Sequence, residues 1–223
     1  SVLFQKQMYA LAKELKSDSM MYLTFRAIGN RFTTKTDYNF GLENYFDALN
    51  YANTPTIKSG LYQNIAYVYA VTENTDVALS YLQKGDALGV TNFFFQNLLY
   101  GMVYNNLQKP DSALFFLKRC YESDTTDYDA TVYAILPTQM GKAYELKGDT
   151  ILADAYYKNA INYCRKEKIA SAQIRHGNVY CDFLLRSGKY EEARQLALED
   201  IQVARNAGIN EGISNFAGVL RKI

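Results

Sequence analysis

Gly141-Lys142-Ala143-Tyr144-Glu145-Leu146-Lys147-Gly148-Asp149-Thr150-Ile151-Leu152-Ala153-Asp154-Ala155-Tyr156-Tyr157-Lys158-Asn159-Ala160 is the stretch that decides the fold. Gly141 and Tyr144 stand three apart, and Ala153, Tyr157 and Ala160 stand four and three apart. Those spacings put side chains on one face of an α-helix. Between the two stripes lies Lys147-Gly148-Asp149. Glycine suits the left-handed residue that ends a helix, and aspartate suits the cap that starts the next one. The stretch predicts two amphipathic helices folded back on each other. Small residues sit where the backbones approach, and tyrosines fill the space beside them.

The arrangement returns along the chain. Aligned on the first small residue, the copies begin at Gly29, Ala66, Gly101, Gly141 and Cys181, in steps of 37, 35, 40 and 40 residues. Three residues on come Phe32, Tyr69, Tyr104, Tyr144 and Leu184. Twelve on come Gly41, Ala78, Ala113, Ala153 and Ala193, followed by Tyr45, Leu82, Leu117, Tyr157 and Ala197. The last small column reads Ala48, Gly85, Cys120, Ala160 and Asp200. Each break is polar, from Thr36-Asp37 to Lys109-Pro110-Asp111 and Ser187-Gly188-Lys189. A fixed period of this length marks a stacked helical-repeat array, which grows by adding units.

These columns resemble those of the tetratricopeptide repeat, and the likeness covers about residues 20–209. The resemblance implies an all-α, right-handed superhelix, an α-solenoid of about five antiparallel helix pairs with flanking single helices. The expected organisation is one array over 1–223: a half repeat at 3–16, repeats at 20–54, 58–90, 93–124, 130–168 and 172–209, and a half repeat at 211–223. Neither end reads as a polar capping helix, so the expectation is a piece of a longer protein. Three residues depart from the pattern. Asp200 replaces a small residue, Ala197 replaces an aromatic, and Pro137 stands where the first helix of the fourth copy is expected to start.

Such arrays are binding scaffolds without built-in chemistry. In the family the first helix of each pair lines the concave face. Stepping three back and one or four forward from each small residue selects the expected binding residues: Arg26, Asn30, Gln63, Tyr67, Met102, Asn105, Thr138, Lys142, Glu145, Asn178 and Asp182, with Arg175 and Arg186 close by. Amides can bond a peptide backbone, and arginine can clamp a carboxylate. The carboxylate clamp of chaperone-binding members is disfavoured, because Gln63 with Tyr67 and Leu98 with Met102 supply no basic partners. The expected function is a non-catalytic protein- or peptide-binding module. The Tyr- and Asn-rich long repeats are similar to sensor regions of Bacteroidetes-type histidine kinases and helix-turn-helix regulators. The alternative is an assembly scaffold without signalling output.

Composition narrows the rest. Of 223 residues, 24 are basic and 23 acidic, a net charge of +1, so no long-range field draws a nucleic acid. No apolar run is long enough to span a bilayer. Cys120, Cys164 and Cys181 are widely spaced and read as small buried hydrophobes, although spacing alone leaves one disulfide open. His176 with Cys181 is the sole candidate catalytic dyad, and packing is the better reading of Cys181. No metal or other cofactor is expected. Asp124, Asp127 and Asp129 lack the glycine and downstream glutamate of a calcium loop. Two of Phe93, Phe94 and Phe95 are expected to pack inward. Compartment and oligomeric state stay open.

Overall fold

A computed structural model describes residues 2–89, 92–122 and 130–223. Among the described residues the secondary structure is twelve α-helices and one 3-10 turn, with no strand. The helices are α1 (Val2–Glu14), α2 (Asp18–Thr34), α3 (Tyr38–Asn50), α4 (Pro55–Val71), α5 (Thr75–Ala87), α6 (Phe93–Asn106), α7 (Pro110–Arg119), α8 (Ala130–Leu146), α9 (Thr150–Lys166), α10 (Ala170–Arg186), α11 (Tyr190–Ala207) and α12 (Asn210–Leu220). The 3-10 turn, Cys120–Glu122, follows α7 directly.

The chain forms two compact units. One comprises Ser1–Leu107 with Arg119–Ser123, and the other Gln108–Lys118 with Asp124–Ile223. In the first, α2 packs on α3 and α4 on α5, while α4 also meets α6. In the second, α8 pairs with α9 and α10 with α11; α8 touches α10, and α12 lies on α10 and α11.

Among the described residues, five helix starts carry a side-chain cap. Ser17, Asp37, Thr54, Asn92 and Asp149 accept hydrogen bonds from backbone N–H groups of the first turns of α2, α3, α4, α6 and α9. Pro55 occupies the first turn of α4, where a missing N–H costs nothing. The stops use left-handed residues: Gly148 (φ 79°), Gly188 (φ 71°) and Gly208 (φ 68°). Thr36, Glu73, Gln108 and Lys168 do the same work with side chains that resist this backbone.

The tyrosine column explains the glycine column. A Cβ on Gly29 would stand 2.6 Å from Cε1 of Tyr45, and one on Gly141 would stand 2.9 Å from Cδ1 and Cε1 of Tyr157. Both rings are sixteen residues downstream, across the hairpin, and both are buried. At the same offset Ala66 has Leu82 and Cys181 has Ala197, all four fully buried. In these four copies the counterpart is smaller where the first side chain is larger; Gly101, with Leu117 at that offset, stands outside the trend.

That trade accounts for two of the three departures. Ala197 replaces an aromatic where Cys181 has replaced a glycine. Asp200 is fully buried, and its Oδ2 occupies the space a Cβ on Gly177 would need. Pro137 corrects the sequence reading: it lies inside α8, buried, seven residues after the helix begins at Ala130. The calcium-loop candidates Asp124, Asp127 and Asp129 lie outside the described residues. Phe94 is buried, Phe95 is half-buried and Phe93 is exposed. All three cysteines are buried, and none of them is in a disulfide. No described helix is long and apolar enough to cross a membrane.

Candidate functional site

The first helices of the pairs carry the residues selected from the sequence, and the structure divides them into two groups. Arg26 is half-buried, its guanidinium 5.2 Å from the centroid of the Tyr22 ring. Asn30 is exposed, and its Oδ1 accepts the Tyr45 hydroxyl proton at 2.8 Å. Tyr67 is half-buried, 6.2 Å from the Phe95 ring. In the second unit Lys142, Glu145 and Asn178 are half-buried, and Asp182 is exposed. Since α8 and α10 touch, these four belong to neighbouring first helices of one unit.

The other four are inside. Gln63, Met102, Asn105 and Thr138 are buried, which corrects the expectation that they face a groove. Gln63 donates from Nε2 to Gln96 Oε1 (3.0 Å) and to the Asn92 carbonyl (3.3 Å). Gln96 in turn donates to Asp86 Oδ1 at 2.8 Å, and Tyr100 donates to Asp86 Oδ2 at 2.5 Å. This network ties α4, α5 and α6 together. Thr138 donates to the Ala134 carbonyl at 3.0 Å and meets His176 Nδ1 at 2.9 Å. A hydroxyl has one proton, so His176 Nδ1 carries the hydrogen of the second bond. Its Nε2 is then an acceptor, buried and without a partner.

His176 and Cys181 are not arranged as a dyad. Burial holds the imidazole neutral, its pKa lowered to about 3, with the nearby Arg175 charge adding to the effect. Burial pushes the Cys181 thiol up to about 12, and its S–H points to the Ala193 carbonyl. Both shifts oppose a thiolate–imidazolium pair. Among the described residues no three His, Cys, Asp or Glu side chains converge as metal ligands would.

The column tyrosines also reach the candidate face. Tyr157 donates to Glu145 Oε2 at 2.8 Å, as Tyr45 does to Asn30. Arg186 donates to Glu145 Oε1 through Nε at 2.9 Å, and its Nη2 lies 2.8 Å from the same oxygen. Glu145 is thus fixed from two sides. Asp182 has only a 3.9 Å contact with Lys222. Desolvation and the Glu145 charge hold the Tyr157 hydroxyl protonated far above the ordinary tyrosine range.

A family model for the tetratricopeptide repeat matches residues 97–127. The fold is that of the tetratricopeptide repeat. Among solved structures, a Rap protein complexed with competence and sporulation factor is similar over 88% of this chain and 57% of that one, with a TM-score of 0.75 and 16% identity. Aspartyl phosphate phosphatase F from Bacillus subtilis aligns over 94% and 58%, with a TM-score of 0.65 and 13% identity. The pilF protein of Pseudomonas aeruginosa aligns over 92% of both chains, with a TM-score of 0.56 and 13% identity. The chain spans less than three-fifths of the length of the first two. No curated protein sequence matches it.

Proposed function

We propose that this tetratricopeptide array is a non-catalytic module that binds a protein or peptide on its first-helix face, as the sensory or interaction region of a larger signalling protein. One observation carries the reading. Lys142, Glu145, Asn178 and Asp182 form a polar strip on the touching helices α8 and α10, and the Asn178 amide and Asp182 carboxylate keep bonding capacity to spare. Extended peptides need such alternating donors and acceptors. The Rap structure, complexed with a factor, supplies a precedent of fold. A bound partner passes a signal only where it favours one conformation of the array over another.

Selection of random displayed peptides against the chain, followed by affinity measurement on variants, tests this. Lys142→Glu with Asp182→Lys is expected to weaken selected peptides about tenfold or more, by reversing two charges at the contact. Arg26→Ala with Asn30→Ala serves the same purpose in the first unit. Unchanged affinity in both double variants would move the binding surface elsewhere.

A further inference from the structure

We propose that the edge of the second unit, where the α8–α9 and α10–α11 turns lie side by side, is a binding site for a carboxylate carried on a short aliphatic group. A peptide terminus or an acidic side chain with an aliphatic neighbour has this chemistry. The site adjoins the polar strip above at Glu145, but the groups offered to its ligand are Arg186, Lys189 and Ile151, so it stands whether or not a partner occupies the rest of that strip.

A cavity of about 470 Å³ opens at this edge. Ile151 and the buried Phe183 line its apolar side. Ile151, in the first turn of α9, is 82% exposed, the most exposed large hydrophobic among the described residues. Beside it stand two ion pairs, Glu145 with Arg186 and Asp154 with Lys189.

Those pairs are not symmetric toward solvent. The side chains of Glu145 and Asp154 are 22% and 15% exposed, against 59% for Arg186 and 37% for Lys189. Both carboxylates are spent inward. Glu145 accepts Tyr157 on one oxygen and Arg186 on the other. Asp154 accepts the Tyr180 hydroxyl at 2.7 Å on Oδ1, and on Oδ2 takes Lys158 at 2.8 Å and Lys189 at 3.2 Å. The cations keep donors in reserve. Arg186 places Nε and Nη2 on a single glutamate oxygen, so its Nη1 edge is turned to other partners. Lys189 has only a 3.9 Å contact with Glu192 beyond Asp154. Donors outward, acceptors inward and an aliphatic wall select a carboxylate with an apolar tail over a cation or a neutral amide. Glu192, about half exposed, lies 3.9 Å from Lys189, and its charge favours a ligand carrying a single negative charge.

The test is an NMR titration of the whole chain, reading the Ile151 methyls and the Arg186 Nε–H. The probes are N-acetyl-Ala-Leu as the free acid, the same dipeptide as its amide, and N-acetyl-Asp-Leu amide. The expected result is saturable shifts at both reporters with the free acid, the aspartyl amide or both, and none with the neutral amide. Which acid saturates identifies the source of the carboxylate. Arg186→Gln and Ile151→Asp should each weaken binding about tenfold or more. Ile151→Asp changes an exposed residue, so it keeps the test valid should Arg186→Gln disturb the fold. No saturation by either acid up to about 20 mM, equal binding of the neutral amide, or unchanged binding by both variants would overturn the proposal.

Discussion

Gly141→Ala tests the packing rule on which this fold rests. A Cβ there would stand 2.9 Å from Cδ1 and Cε1 of Tyr157 and 3.1 Å from Cγ. Real side chains do not tolerate that approach, so the ring must retreat, and it has nowhere to go. Tyr157 is 1% exposed, packed 5.1 Å from the Phe183 centroid and 5.8 Å from Tyr180, with its hydroxyl anchored on Glu145. Overpacking of this kind costs about 1–3 kcal/mol, while replacing a helical glycine by alanine returns about 1 kcal/mol. The expected net loss is up to about 2 kcal/mol, read as a lower urea midpoint at unchanged m. The control is already written in the chain, where Ala66 faces Leu82. Tyr157→Leu alone is destabilising. In that background Gly141→Ala becomes neutral or stabilising by up to about 1 kcal/mol, a coupling of about 1–3 kcal/mol in the cycle. Stabilisation by Gly141→Ala in the natural background, or the same effect in both, would refute the reasoning.

Two further outcomes follow from buried groups and turns. Burial raises the Asp200 carboxyl to about 6, above its ordinary 3.8, so the folded chain holds the proton more tightly than the unfolded one, and stability rises as pH falls from 6 toward 4. His176, lowered to about 3, acts oppositely: the unfolded chain takes the proton first, so stability falls as pH drops below 6.5. Each slope is about 1.4 kcal/mol per pH unit. Thermal melts between pH 6 and 4.5 are therefore expected to be nearly flat in the natural chain, to fall with acid in Asp200→Asn, and to rise with acid in His176→Gln; parallel profiles in all three would contradict both assignments. At the α2–α3 turn, Thr36 is a β-branched residue at φ 66°, which costs about 1–2 kcal/mol. Thr36→Gly is expected to raise the urea midpoint by the equivalent of about 0.5–1 kcal/mol, after the entropy cost of glycine.

The helices, their hairpin pairing and the left-handed glycines at 148 and 188 were readable because each rests on local chemistry. A three- and four-residue apolar spacing, a turn and a cap need no knowledge of the neighbouring pair. The same rules missed Thr36, Glu73, Gln108 and Lys168, which take the left-handed stop without the residue that marks it. Pro137, which reads as a helix boundary in isolation, instead lies inside α8. Within α8 the helix is sustained by tertiary burial, with Leu136, Pro137 and Thr138 all buried.

The candidate face was harder to read, since the offset from the small column does not fix exposure. Met102 and Lys142 share one offset, as do Asn105 and Glu145, and Thr138 and Asn178. In each pair the first is buried and the second is at least partly exposed. For the first pair the side chain decides, because lysine carries its charge out along an aliphatic stem where methionine packs inward. For the third the neighbour decides: His176 approaches Thr138 from the next first helix and closes over it. Contacts between pairs lie some forty residues apart in the chain, and a single hairpin does not encode them. The buried polar residues Gln63, Gln96, Thr138 and His176 are where the array spends hydrogen bonds to set one pair against the next. Binding capacity is left to side chains that this stacking does not consume, which is why Asn178, Asp182, Arg186 and Lys189 carry the functional argument.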